Sequence, residues 1–395
     1  MSSILKTSDL IRSIKRRAFI PSSQETFTDE DFLEMATEEI NLGLVTLIQR
    51  MHEEHLVYYV DIEVVPGEKR YEIPARAHGN KLRDVALVDE NNNIFEMHRY
   101  SLDEISDFTN TTTYINNRGF YLENNDVILN NFDTNVGQKL RMYFYMRPNT
   151  LVVESKGASI TNISELVEEN FIDSKSGIIT NTTAGNPTII TSANHGLSNG
   201  SKVSISGTVS LNGTYEISVI DSSNFTIQLA SVTSGDVGSW KLMLDVLQFQ
   251  LSSIPDHFLS SSIFDFVQNV SPNKIIAYDI EVNSIDQTLS TVSFRKSEVD
   301  HVTIGSHVTV AEETIVPNVP TELHPILAQR VAVSCLEAMG DEQNKQSAER
   351  KLAQMEKDAN TFLDNRVDGA NLKIKSRHSP LVNTLNTLGR RNRRW

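Results

Sequence analysis

Phe27-Thr28-Asp29-Glu30-Asp31-Phe32 opens a run in which apolar residues return at Met35/Ala36, Ile40, Leu44, Leu47/Ile48 and Met51. A return every three or four residues is the period of a helix with one buried face, kept here for about seven turns. The hexapeptide marks where the helix begins. Thr28 can cap the free amides of the first turn, and Asp31, three residues on, makes an imperfect capping box. Phe27 and Phe32 hold the two positions of a hydrophobic staple. Asp29, Glu30, Asp31 and Glu34 place negative charge where the helix dipole favours it. A helix over residues 28–54 is therefore expected, with Phe32, Ile40, Leu44 and Ile48 on its buried face.

Upstream, residues 5–17 read as a shorter helix with Leu5, Ile11 and Ile14 among Arg and Lys, ended by Pro21. Downstream, from Tyr58 to about residue 320, the texture changes. Alternating segments such as Val60–Val65, Leu82–Val88 and Leu140–Tyr145 sit among Asn, Gly and Pro turn signals, so this middle reads as mainly β. Inside it, residues 176–243 form an island rich in Ser, Thr, Asn and Gly, charged only at Lys202, Glu216, Asp221, Asp236 and Lys241. Its alternation at Val203/Ile205, Tyr215/Ile217/Val219 and Phe225/Ile227/Leu229 predicts a small β module of barrel or sandwich type inserted in the larger β domain.

Helices return after Pro317 and Pro320. Thr321 is the expected cap of a helix over 322–339 whose apolar face includes Leu327, Val331, Cys335 and Leu336, and Gly340 stands in the C′ role. A further helix over 342–364 spaces Ala348, Leu352, Met355, Ala359 and Phe362 by four, three, four and three. Such a narrow seam needs a partner helix to bury it. The fold class that follows is α+β. Both chain ends, 1–57 and 321–366, build one helical bundle. The β domain spans 58–175 and 244–320, the island is nested in it, and 367–395 form an extended basic arm.

At 395 residues the chain is long enough for two or three cores. No apolar run nears the roughly 18–20 residues that span a bilayer, and the N-terminus lacks the apolar core of a signal peptide, so synthesis in a cytoplasm and no membrane are expected. The single cysteine, Cys335, leaves no disulfide framework and no Cys-rich zinc site. The net charge of −15 is uneven. Residues 1–20 carry five bases and one acid, and residues 370–395 carry seven bases and no acid, which leaves −26 on residues 21–369. An acidic body repels a nucleic-acid backbone, whereas a basic tail seeks an acidic or phosphate surface. The tail ends Arg390-Arg391-Asn392-Arg393-Arg394-Trp395, and Arg with Trp is interface chemistry.

A catalytic constellation is harder to find. His52-Glu53-Glu54-His55 spaces its histidines at i and i+3, whereas zinc proteases use i and i+4. No Gly-x-Ser-x-Gly elbow and no phosphate-binding glycine loop occurs. His195 beside Gly196 reads as a turn residue, and Cys335 as a small core residue. No enzyme, metal or cofactor is expected. Between residues 28 and 54, eight acids face one Arg, the opposite of a phosphate-gripping surface.

Three stretches resemble the head-to-tail connector, or portal adaptor, proteins of tailed bacteriophages. The first is Leu10-Ile11-Arg12-Ser13-Ile14-Lys15-Arg16-Arg17-Ala18-Phe19-Ile20-Pro21-Ser22-Ser23-Gln24 with Phe27-Thr28-Asp29-Glu30-Asp31. The second is Tyr71-Glu72-Ile73-Pro74-Ala75-Arg76-Ala77-His78-Gly79-Asn80-Lys81-Leu82-Arg83-Asp84-Val85. The third is Val316-Pro317-Asn318-Val319-Pro320-Thr321-Glu322-Leu323-His324-Pro325-Ile326-Leu327-Ala328-Gln329-Arg330, continuing through Leu336-Glu337-Ala338-Met339-Gly340-Asp341 to Asn365-Arg366-Val367-Asp368-Gly369. The island, through Asn186-Pro187-Thr188-Ile189-Ile190-Thr191, His195-Gly196-Leu197-Ser198-Asn199-Gly200 and Leu211-Asn212-Gly213-Thr214-Tyr215, is similar to small β modules of phage tail and connector proteins.

The resemblance implies a structural virion protein at the portal–tail vertex. It implies a homo-oligomeric ring, usually of twelve subunits, beneath the portal and around the DNA exit channel. Genomic DNA would pass through without sequence-specific binding. Helices 28–54, 322–339 and 342–364 would build the ring. Arg377, Arg390, Arg391, Arg393, Arg394 and Trp395 would dock on the portal, and tail, nozzle or fibre proteins would bind below or outside. Two other readings compete with it: a tail-associated glycan hydrolase and a DNA-binding virion protein.

Overall fold

The computed structural model describes residues 6–21, 26–51, 53–101, 119–130, 138–230 and 234–362. At the N-terminal end, α1 (Thr7–Arg17) and α2 (Asp29–Glu39) run into a wider π turn (Ile40–Leu44) and then α3 (Val45–Met51). At the other end, α4 (His324–Ala338) and α5 (Glu342–Phe362) form a hairpin. Helices α1, α2 and α5 all pack against α4 around one apolar core, so both ends of the chain meet in a single bundle.

The local signals act as expected at most helix ends. Thr28 Oγ1 accepts from Asp31 N, and Asp31 Oδ2 accepts from Thr28 N, a complete capping box. The Phe27 and Phe32 rings sit 5.6 Å apart, closing the staple. Gly340 has φ +71° and donates to Glu337 O, while Asp341 donates to Leu336 O, which satisfies two end carbonyls of α4.

Two expectations change. The helix expected over 28–54 is interrupted at Ile40–Leu44, where the wider turn shifts the phase, buries Val45 and leaves Leu42 78% exposed. Thr321 does not cap α4. It lies in a 3₁₀ turn (Thr321–Leu323), and its hydroxyl donates to Ser271 Oγ. Pro325 in the first turn of α4 starts the helix instead, since its missing N–H is one that turn leaves unpaired anyway.

Between the helical ends the chain is β. Strands β1 (Val57–Glu63), β2 (Arg70–Glu72), β3 (Ala77–Val88), β4 (Ile94–Glu96), β5 (His98–Arg99), β6 (Gly119–Glu123), β7 (Asp126–Asn130) and β8 (Lys139–Met146) make two sheets, ordered β1-β8-β3-β4 and β2-β7-β6-β5. Their core includes Ile73, Val85, Leu87, Phe120, Val127, Leu140, Met142 and Phe144.

After the short β9 (Thr150–Leu151) come β10 (Ala158–Glu169), β11 (Ser176–Ile179), β12 (Asn181–Thr183), β13 (Thr188–Thr191), β14 (Lys202–Ser206), β15 (Gly213–Asp221) and β16 (Asn224–Ile227). Then follow β17 (Gly238–Leu251), β18 (Ile263–Val267), β19 (Ile275–Asp286), β20 (Thr291–Arg295), β21 (His307–Val310) and β22 (Glu313–Thr314). Strand β10 pairs β21, β21 pairs β18, β18 pairs β19, β19 pairs β20, β20 pairs β17, and β17 returns to β10. That circuit is a closed six-stranded barrel, which leaves no free strand edge. Phe249, Phe258, Phe264, Phe266 and Phe294 fill it, with Phe294 5.0 Å from Phe266 and 5.5 Å from Phe264, edge to face.

The island continues from the same framework. The first half of β17 pairs β11 and β14, its second half belongs to the barrel, and the sheet runs on through β15, β16, β13 and β12. Since β11 and β12 are nearly consecutive, this sheet is itself almost closed. The expected junction at residues 243 and 244 falls inside the unbroken β17. Trp240 is buried at the module's centre, donates to Ser192 Oγ at 2.8 Å and covers Gly177, where any Cβ would meet the indole at 2.7 Å.

One buried ion pair joins the two-sheet domain to the barrel. Arg76, in the turn between β2 and β3, is 4% exposed, and Asp265 on β18 is fully buried. Arg76 Nη2 donates to Asp265 Oδ2 at 2.6 Å and to Asn149 Oδ1 at 2.7 Å. The carboxylate also accepts from Asn149 Nδ2, Glu312 N and Asp279 N at 2.7, 3.0 and 2.9 Å. Every oxygen is satisfied, so the desolvation cost is offset by directed bonds, and removing one partner strands a charge. Asp265→Ala is expected to lower stability by about 3–5 kcal/mol, read as a lower urea midpoint. The double change Arg76→Met/Asp265→Leu should lose less than the single one. Equal loss in both would contradict the stranded-charge account.

Candidate assembly surface

The bundle residues predicted from periodicity come together. Phe32, Ile40, Leu44 and Ile48 from the N-terminal helices and Leu327 and Val331 from α4 are buried in one cluster, against which Leu352 and Met355 of α5 pack half-buried. The side chain of Phe362 lies outside the described residues, as do Arg377, Arg390, Arg391, Arg393, Arg394 and Trp395.

Two neighbouring polar residues of α4 fix the helices around this core. Gln329, buried, accepts from Arg17 Nη1 of α1 at 2.9 Å and donates to Ala348 O of α5 at 3.3 Å. Arg330 donates to Glu39 of α2 at 3.1 Å and, through its other terminal nitrogen, to Glu356 of α5. The guanidinium lies against Gly43 in the π turn, where a Cβ would stand 2.1 Å from Arg330 Nη1. Gly43 is thus the residue that admits the clamp. The sequence marked neither the clamp nor its glycine, because partners about 290 residues apart have no local signature.

The outer faces differ in charge. Along α2 the exposed Glu30, Glu34 and Glu38 stand one turn apart and make no ion pair among the described residues. Asp29 is engaged with Lys15 at 2.8 Å and Asp31 with its own cap. On α5, Arg350 and Lys351 are exposed and likewise unpaired among the described residues. The bundle therefore carries an acidic stripe on one member and free cations on another, with α4 as the helix both pack against.

Neither a protein-family model nor a curated protein matches the chain.

The other residues singled out by sequence are held in structural contacts. Glu53 accepts from Arg83 at 2.7 Å and from Tyr145 at 2.9 Å, and the Arg83 bond holds its carboxyl below the usual range. His52 lies outside the described residues. His195 accepts from Leu197 N through Nδ1 at 3.0 Å and places Nε2 2.9 Å from Asp221 O, so its proton sits on Nε2. Cys335 is buried beside Met35, and burial pushes its thiol up to about 11. Among the described residues no group of three or more His, Cys, Asp or Glu is placed to hold a metal ion, and no helix is long and apolar enough to cross a membrane.

A Ser–His pair that sequence reading missed joins β10 to β21. Ser159 and His307 are direct partners on the antiparallel ladder, with Oγ and Nδ1 3.1 Å apart. His307 is 4% exposed, its Nε2 has no partner among the described residues, and nearby Lys6 is bound to Glu154. Burial first, then Lys6, lowers the imidazole to about 4, with Glu154 opposing. The ring is neutral at pH 7. An unfolded chain protonates it near 6.5 while the folded chain does not, so its contribution is complete above about pH 6.5 and is lost as pH falls towards 4. That loss is on the order of 3 kcal/mol. Stability measured from pH 7 to 4 should therefore fall less steeply in His307→Asn than in the parent chain. Parallel curves would contradict the assignment.

Proposed function

We propose that the chain is a structural ring subunit, an adaptor between the portal and tail of a tailed bacteriophage. The observation that carries this reading is the bundle built from the N- and C-terminal helices, with acids on α2 and cations on α5 that are unpaired among the described residues. Two complementary faces at different places on one subunit favour head-to-tail contact between copies, and such contacts close into a ring when the rotation per subunit permits. Opposite charges steer that encounter and set its register more than they add affinity.

The charge of the body supports a second part of the reading. The net charge of −26 on residues 21–369 repels phosphate, so DNA can move past the ring without being held. The barrel and the nearly closed module share β17, and in this reading the module meets tail, nozzle or fibre proteins. The basic arm that ends in Trp395 supplies the portal contact in this reading.

Charge reversal tests the contact between copies. Glu34→Lys/Glu38→Lys, and separately Arg350→Glu/Lys351→Glu, should each weaken self-association about tenfold, measured by sedimentation at low salt and high protein concentration. Mixing the two variants should restore it. Unchanged association in both reversed variants would contradict the proposed contact.

A further inference from the structure

The end of the barrel at which β10 finishes is organised by side chains. Glu168 Oε2 accepts from Ser284 Oγ at 2.9 Å, Ser293 Oγ at 2.7 Å and Asn283 Nδ2 at 3.2 Å. Asn283 also donates to Glu169 O at 3.1 Å, and its Oδ1 accepts from Phe171 N at 2.9 Å. Asn170 Oδ1 accepts from Asp173 N at 2.8 Å. Two buried amides, Asn170 and Asn283, thus pin the turn that follows β10. This turn holds Phe171 57% exposed. A large aromatic is costly to leave in water, and here its backbone is fixed in that position.

Phe171 forms one wall of a cleft of about 620 Å³ whose other walls include Ser260, Ser261, Ile263, Glu281 and Ile285. The lining is specific in three ways. It contains no Lys or Arg, so nothing there favours a phosphate, sulfate or carboxylate. The hydroxyls of Ser260 and Ser261 and the carboxylate of Glu281 are without partners among the described residues and are free to bond a ligand. The strands that form the floor, β18 and β19, are paired on both sides within the closed barrel, so no edge is open for a peptide to add as a strand.

We infer that this cleft binds a neutral saccharide. A pyranose offers a face of weakly positive C–H groups to the negative face of the Phe171 ring and a rim of hydroxyls to Ser260, Ser261 and Glu281. Glycoside hydrolysis calls for two carboxyl groups flanking the bond. Glu281 is the single carboxylate among the lining residues, and Glu168 is occupied by Ser284, Ser293 and Asn283. The site therefore holds a sugar without cutting it. This inference stands apart from the ring proposal, because none of its residues belongs to the bundle.

The test uses the full chain and an array of neutral tetrasaccharides built on glucose, galactose, mannose and N-acetylglucosamine. Sialylated and sulfated counterparts and a tetrapeptide library accompany them, and hits are titrated by calorimetry. At least one neutral tetrasaccharide should bind. Phe171→Ala should weaken that binding tenfold or more and Glu281→Gln severalfold, while Phe171→Trp retains it. Both side chains are exposed, and unchanged thermal melting of the three variants confirms the fold. The inference is overturned if no neutral tetrasaccharide binds up to about 10 mM, a free energy of only about 3 kcal/mol. Binding that survives Phe171→Ala, or a preference for the anionic sugars or the peptides, also overturns it.

Discussion

Arg76 and Asp265 are 189 residues apart in sequence and fully enclosed where they meet. Their contact brings five parts of the chain to one point: the turn before β3, the segment after β8 through Asn149, strand β18, strand β19 through Asp279 N, and the β21–β22 turn through Glu312 N. A buried carboxylate with four directed donors tolerates little displacement, because each lost bond leaves a charge short of its partners in a medium that cannot replace them. The two-sheet domain and the barrel are thereby held in one relation. Asn149 carries this further, since its side chain also donates to Glu313 O, next to the parallel pairing of β22 with β9, and β9 in turn packs on α2. Bundle, sheets and barrel are linked through a few residues around one charge.

What the sequence made legible was local. The capping box of Thr28 and Asp31, the staple of Phe27 and Phe32 and the C′ glycine at 340 depend on residues within a few positions of one another, and each forms as read. Periodicity identified the buried faces of the helices, and the change to alternation identified the β middle and the module within it. Long-range pairing was not legible. Alternation says which residues face inward but not which strand is the neighbour, so the closure of β10 through β21, β18, β19, β20 and β17 could not be read. Gly43 illustrates the same limit. By itself it is a poor helix residue, and only the guanidinium of Arg330, brought from α4, explains it.

The candidate sites divide along the same line. The acids of α2 were visible as composition, but the structure shows which are engaged: Asp29 and Asp31 serve the fold, while Glu30, Glu34 and Glu38 make no ion pair among the described residues. The cleft beside Phe171 has no motif at all. Its residues come from three separated segments, and its significance lies in an aromatic ring held in water by two buried amides. The proposed division of labour follows from these placements. In that proposal the helices from both ends serve assembly, and the barrel and module carry the further binding surfaces.

Electron microscopy of the chain, alone at high concentration and mixed with its portal protein, tests the central claim most directly. The account predicts a ring with a central channel, in which α2 of one copy faces α5 of the next and the barrels point away from the portal. Isolated subunits under both conditions, or a ring whose contacts are made by the barrels while the helices stand apart, would contradict it.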